Sequence, residues 1–109
     1  MTILYIETNF LMTIAKGQDT QADNLLYNRP KSLKIFIPHI CYNDIMDNII
    51  LQSILYHAQL YPQEDKAFIS NNSNDFGKPE VKEVLSNAGI RYFTITQHFL
   101  DWFNSRSSI

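Results

Sequence analysis

The acidic residues of this 109-residue chain fall where clustering would give them a use. Glu7 follows the apolar run Ile3, Leu4, Tyr5, Ile6. Asp44 and Asp47 come after a second apolar run, Leu33 to Ile37, and Asp75 closes the polar run that follows a third, Ala67, Phe68, Ile69. Asp44 and Asp47 are three residues apart, so on a helix both project from one face of the first turn. Like charges a few Å apart repel and raise one another's pKa unless a cation lies between them. A hard divalent ion, Mg2+ or Mn2+, takes carboxylate oxygens and keeps several waters. At a phosphodiester it lowers the pKa of the attacking water and stabilises the leaving oxygen. The same residues have a plainer use: Asp44 and Asp47 suit a helix amino terminus, and Asn74 and Asp75 suit a turn before Gly77. Spacing alone leaves both uses open.

The elements that must position these acids follow from apolar periodicity. Ile3–Ile6 predicts a strand running into a helix with Phe10, Leu11, Ile14 and Ala15 on one side, capped by Thr8 or Asn9 and stopped at Gly17. Asp19 or Thr20 caps a second helix carrying Ala22, Leu25 and Leu26, and a strand from Leu33 to Ile37 is closed by Pro38. A long helix from Asn43 or Asp44 to Gln59 is apolar on more than one face, which predicts burial on two sides. After a polar break, Tyr61 to Asp65, come a strand at Ala67–Ile69 and a helix with Pro79 in its first turn and Gly89 past its end. A strand at Ile90–Phe93 and a helix capped by Thr96 complete the chain. Strands alternating with helices predict a three-layer α/β/α sandwich around a mostly parallel sheet of about four strands, in a single domain over residues 1–109. In such sheets ligands bind beyond the carboxyl ends of the strands, where Glu7, Asp44, Asp47 and the polar run from Asn71 to Asp75 all fall.

Composition narrows the chemistry. Nine Lys and Arg against eleven Asp and Glu give a formal net charge of −2, so any phosphate-binding surface must be local. The single cysteine, Cys41, excludes an internal disulfide and suits a reducing compartment. No apolar run reaches the roughly 18 residues of a membrane span and the amino terminus lacks signal-peptide character, which predicts a cytoplasmic protein without membrane contact. His39, His57 and His98 have no zinc-ligand spacing, and His57 on an apolar helix suits packing. No glycine-rich phosphate loop or nucleophile-elbow serine occurs. The aromatic residues Phe93, Phe99, Trp102 and Phe103 have helical or strand spacing and suit the core.

Three short motifs, in order, resemble one family. Tyr5-Ile6-Glu7-Thr8-Asn9-Phe10-Leu11 resembles the opening strand and turn of PIN domains, where an acid, Thr and Asn follow the first strand; Glu7 stands where Asp is usual. Asp47-Asn48-Ile49-Ile50-Leu51 resembles the start of the family's later helix, which begins with an acidic metal ligand. Phe68-Ile69-Ser70-Asn71-Asn72-Ser73-Asn74-Asp75-Phe76 resembles the following strand and its polar loop ending in Asp-Phe. The helical section that PIN domains place before the third acid is missing, since Ile40 is followed within a few residues by Asp47.

The resemblance implies a Mg2+- or Mn2+-dependent ribonuclease acting on single-stranded RNA. Glu7, Asp47 and Asp75 would be the metal ligands, Asp44 a further acid, and Thr8, Asn9, Asn72 and Ser73 the substrate or orienting residues. It also implies an antitoxin-like protein partner. The loss of the middle section would leave Ile45, Met46 and Ile49 bare, which predicts a homodimer. Two other readings stand beside it: a catalytically degenerate PIN-like module that binds RNA or protein, and a flavodoxin-like domain with a phosphate or flavin site at the sheet edge.

Overall fold

The computed structural model describes residues 1–38, 46–71 and 76–107, with backbone alone at 46–49 and 107. Four strands, β1 (Thr2–Ile6), β2 (Leu33–Phe36), β3 (Asp65–Ile69) and β4 (Ile90–Phe93), form one sheet in the order β2-β1-β3-β4, with every pairing parallel. Among the described residues the helices are α1 (Thr8–Ala15), α2 (Thr20–Tyr27), α3 (Met46–Leu60), α4 (Pro79–Asn87) and α5 (Thr96–Ser107). The expected α/β fold with a parallel sheet is therefore the fold observed.

Burial explains the order of the strands. Every residue of β1 is buried, and so are Lys66 to Ile69 of β3, as central strands covered on both faces require. The edge strands β2 and β4 are buried only in part. Alternate residues feed two cores. Leu4, Ile6, Ala67 and Ile69 face Phe10 and Ile14 of α1, Ala22 and Leu25 of α2, and Phe99 and Phe103 of α5. Ile3, Tyr5 and Phe68 face Ile50, Leu51, Ile54 and Ala58 of α3 together with Leu85 of α4. These are the two helical layers of the sandwich.

Local signals act largely as their chemistry dictates. Asp19 caps α2, its Oδ1 accepting from Ala22 N at 2.9 Å, while its Oδ2 accepts from the Thr96 hydroxyl at 2.6 Å and so ties α2 to α5. Thr96 is thus the first residue of α5 with its hydroxyl turned to Asp19, where a cap was expected. Gly17 and Gly89 end α1 and α4 with φ of 71° and 76°, a conformation costly for any residue with a Cβ. One expectation is corrected. β3 begins at Asp65, inside the predicted polar break, because Asp65 pairs with Thr2 and the Lys66 amine donates to the Glu64 carbonyl at 3.2 Å. The described part of α3 buries one broad face, for Ile50, Leu51, Ile54, Leu55 and Ala58 span an arc of roughly 140° at 3.6 residues per turn, and Tyr56 and Leu60 are exposed. The side chains of Met46 and Ile49, with Ile45 and Cys41, lie outside the described residues.

His57 is a packed residue, as its place on an apolar helix suggested. Its ring lies 4.0 Å from that of Phe36 and 4.9 Å from that of Tyr61, and its Nδ1 shares a hydrogen bond of 2.8 Å with the Tyr5 hydroxyl. Burial, with the Lys34 charge second, holds the imidazole below its ordinary value of 6.5. A depressed folded-state pKa gives stability that is present above the ordinary value and lost as pH falls through the folded one. An NMR titration is expected to put the His57 midpoint below 6.5; a midpoint at or above that value would contradict this packing.

Candidate functional site

The sheet order fixes where a site can form. The chain leaves β1 through α1 and α2 on one face to reach β2 on one side, and leaves β3 through α4 on the other face to reach β4 on the other side. The crevice between the carboxyl ends of β1 and β3 is therefore the topological switch point, the place where open α/β sheets bind ligands. Glu7 follows β1 there, and Ser70 and Asn71 follow β3.

Glu7 is 2% exposed, and it is the residue that caps α1. Its Oε2 accepts from Asn9 N and its Oε1 from Phe10 N, both at 2.8 Å, while the Ser70 hydroxyl donates to Oε1 at 3.4 Å. This corrects the expectation that Thr8 or Asn9 caps the helix. Glutamate has the extra methylene needed to curl back over the first turn, and both of its oxygens can accept from the free amides. Thr8 is instead the first residue of α1, and Asn9 orients Glu7 through its backbone amide. Burial raises the Glu7 pKa, and the two amides and Ser70 pull it part of the way back.

Three residues that carried no role in the sequence complete the frame. The Thr13 hydroxyl donates to the Asn9 carbonyl at 3.1 Å and accepts from Asn71 Nδ2 at 2.8 Å, which joins α1 to the end of β3. The Tyr92 hydroxyl donates to the Ser70 carbonyl at 3.4 Å, and Ser70 N donates to the Phe93 carbonyl at 3.1 Å, which joins β4 to the same edge. A hollow of about 400 Å³ lined by Asn9, Met12, Thr13, Lys16 and Asn71 opens beside this frame. The available signal for Thr13 was its place one helical turn after Asn9. No sequence signal marked Tyr92.

Asp47 lies in the first turn of α3, whose last residue leads into β3, so the direction of the helix carries that turn towards the carboxyl ends of the strands. The Asp47 side chain and the residues Asp44, Asn72, Ser73 and Asp75 lie outside the described residues. Among the described residues no three His, Cys, Asp or Glu side chains converge to hold a metal ion. Glu7 fits one place in the first shell of a hard cation, since a carboxylate offers about four lone-pair directions and its recorded bonds take three. No family model, curated protein or solved structure matches the chain. Among the described residues, no helix is long and apolar enough to cross a membrane.

The Glu7 environment has a consequence for stability. A carboxyl group whose folded pKa lies above its ordinary 4.5 contributes stability that is fully present below that value and lost as pH rises through the folded pKa. Urea midpoints measured across this range are expected to fall in the wild type relative to Glu7→Gln. Parallel curves would show that the carboxyl group is not perturbed.

Proposed function

We propose that this chain is a metal-dependent endoribonuclease of PIN type that cleaves single-stranded RNA. Glu7 and Asp47 are the Mg2+ or Mn2+ ligands in this reading, with Asp75 as a third ligand and Asp44 as a further acid. The observation that carries it is the buried Glu7 carboxylate, held by two backbone amides at the switch point of a parallel sheet. A bound divalent ion would supply acidification of water and stabilisation of the leaving oxygen. The residues of the chain supply position. The amides of Asn9 and Phe10 fix the carboxylate plane, Ser70 steadies one oxygen, and the Thr13–Asn71 bond holds the end of β3 against α1. The test is Mn2+-dependent cleavage of single-stranded RNA by the wild type, Glu7→Gln and Asp47→Asn.

One observation favours a second reading, a PIN-like module that binds RNA or protein without cleaving. Glu7 is almost wholly covered and already serves as a helix cap, a task that requires no metal. The cleavage assay separates the two.

A further inference from the structure

The outer edge of the sheet beside β4 carries a groove that the Glu7 site does not use. Its volume is about 680 Å³, and its walls include Lys82 and Ser86 of α4, Arg91 and Tyr92 of β4, Thr94, and His98 of α5. Lys82, Arg91 and His98 come from three different elements and all are exposed. Among the described residues no carboxylate lines the groove; Glu80 and Glu83 stand on α4 but are not part of its walls. In a chain of net charge −2 this local excess of basic groups is a departure from the average surface.

Shape and connection narrow what fits. β4 is an edge strand of the sheet, so the groove follows the backbone of that strand, and an extended chain matches it better than a compact ligand. One wall residue also ties the groove to the candidate site. Tyr92 is part of its wall, and the Tyr92 hydroxyl bonds the Ser70 carbonyl while the Ser70 hydroxyl bonds Glu7. The strands are parallel, so an anionic chain lying along β4 would run towards the same sheet edge as Glu7.

We propose that this groove binds the sugar-phosphate backbone of single-stranded RNA, with Lys82 and Arg91 on two phosphates, and delivers the strand to the Glu7 edge. The identity of the anion rests on the ribonuclease reading. An acidic peptide shares the charge, but only the RNA gives the connection to Glu7 a purpose. Lys82 and Arg91 act by point charge and by bidentate contact, and neither reads sequence.

The test is fluorescence anisotropy of a labelled oligouridine with the full chain in EDTA, which separates binding from cleavage. Wild type is compared with Lys82→Ala/Arg91→Ala and with Lys31→Ala/Lys34→Ala, two exposed lysines next to or on β2 at the opposite edge. The groove variant is expected to bind on the order of tenfold more weakly at low salt. Its slope of log affinity against log salt should be shallower by about 1.4, at roughly 0.7 per phosphate contact on a single strand. The β2-edge variant should change neither by much. All four substitutions are at exposed positions, and circular dichroism of each variant is used to check that the fold is kept. Equal weakening in both variants, no weakening in either, or no binding by the wild type overturns the proposal. So does competition by polyglutamate that matches competition by RNA. Groove-dependent binding by a wild type that fails to cleave in Mn2+ upholds the groove and removes the ribonuclease reading; cleavage by a wild type whose binding ignores Lys82 and Arg91 does the reverse.

Discussion

Phe68→Ala is expected to lower the unfolding free energy by about 3–5 kcal/mol, in the range for truncating a buried aromatic ring. Phe68 is fully buried as the fourth of the five residues of β3. Its ring packs edge to face with Phe76 at 5.1 Å and lies 5.7 Å from Tyr92. Removing it would forfeit the transfer of the ring from water, leave a cavity that two central strands cannot close, and lose an aromatic pair worth roughly 0.5–1.5 kcal/mol beyond its area. A domain of this size holds roughly 5–15 kcal/mol in total, so the loss takes a large share. Urea unfolding measures it, with Tyr56→Ala as the control. Tyr56 is 67% exposed on α3 and should change stability by no more than about 0.5 kcal/mol. A cost below about 1 kcal/mol for Phe68→Ala would contradict the burial of this ring between β3 and α3. The same ring supports the candidate site, since Tyr92 reaches Ser70 and Ser70 reaches Glu7.

Much of this architecture is legible in the residues. Ile3 to Ile6 and Ala67 to Ile69 are unbroken apolar runs, and these become the central strands β1 and β3, buried on both faces. Gly17, Gly89, Asp19 and Pro79 mark helix ends by conformational and hydrogen-bonding demands that act within a few residues, so they survive the change from sequence to structure. What distant contacts decide is less legible. Lys66 reads as polar and suggests a loop, yet it is buried in β3 because its amine finds the Glu64 carbonyl and its backbone pairs with Ile3. Along α3, Ile50, Ile54 and Ala58 are buried while Tyr56 and Leu60 stand in solvent, a division that depends on which face meets the sheet and not on the apolar count.

The candidate site is legible as geography and less so as geometry. Glu7 after β1, and Ser70 and Asn71 after β3, follow from strand order along the chain, and these described residues lie at the switch point. The role of Glu7 as cap is not legible in the sequence, because Thr and Asn are the commoner caps and stand next to it. Ser70, Thr13 and Tyr92 enter through contacts between residues far apart in sequence, which no local pattern encodes.

The ribonuclease account predicts its second large effect at this edge. Glu7→Gln keeps the size of the side chain and one accepting oxygen but removes the charge that would hold a cation. Asp47→Asn does the same at the first turn of α3. Each is expected to lower Mn2+-dependent cleavage by on the order of 100-fold, equivalent to about 2.7 kcal/mol of transition-state stabilisation. Stability should change far less, since an exchanged cap costs about 1 kcal/mol. The decisive measurement is the initial rate of single-stranded RNA cleavage against Mn2+ concentration for the three proteins, each verified as folded. Saturable Mn2+-dependent cleavage by the wild type, with both variants reduced to the metal-free background, is the predicted result. Equal rates in all three would contradict the account.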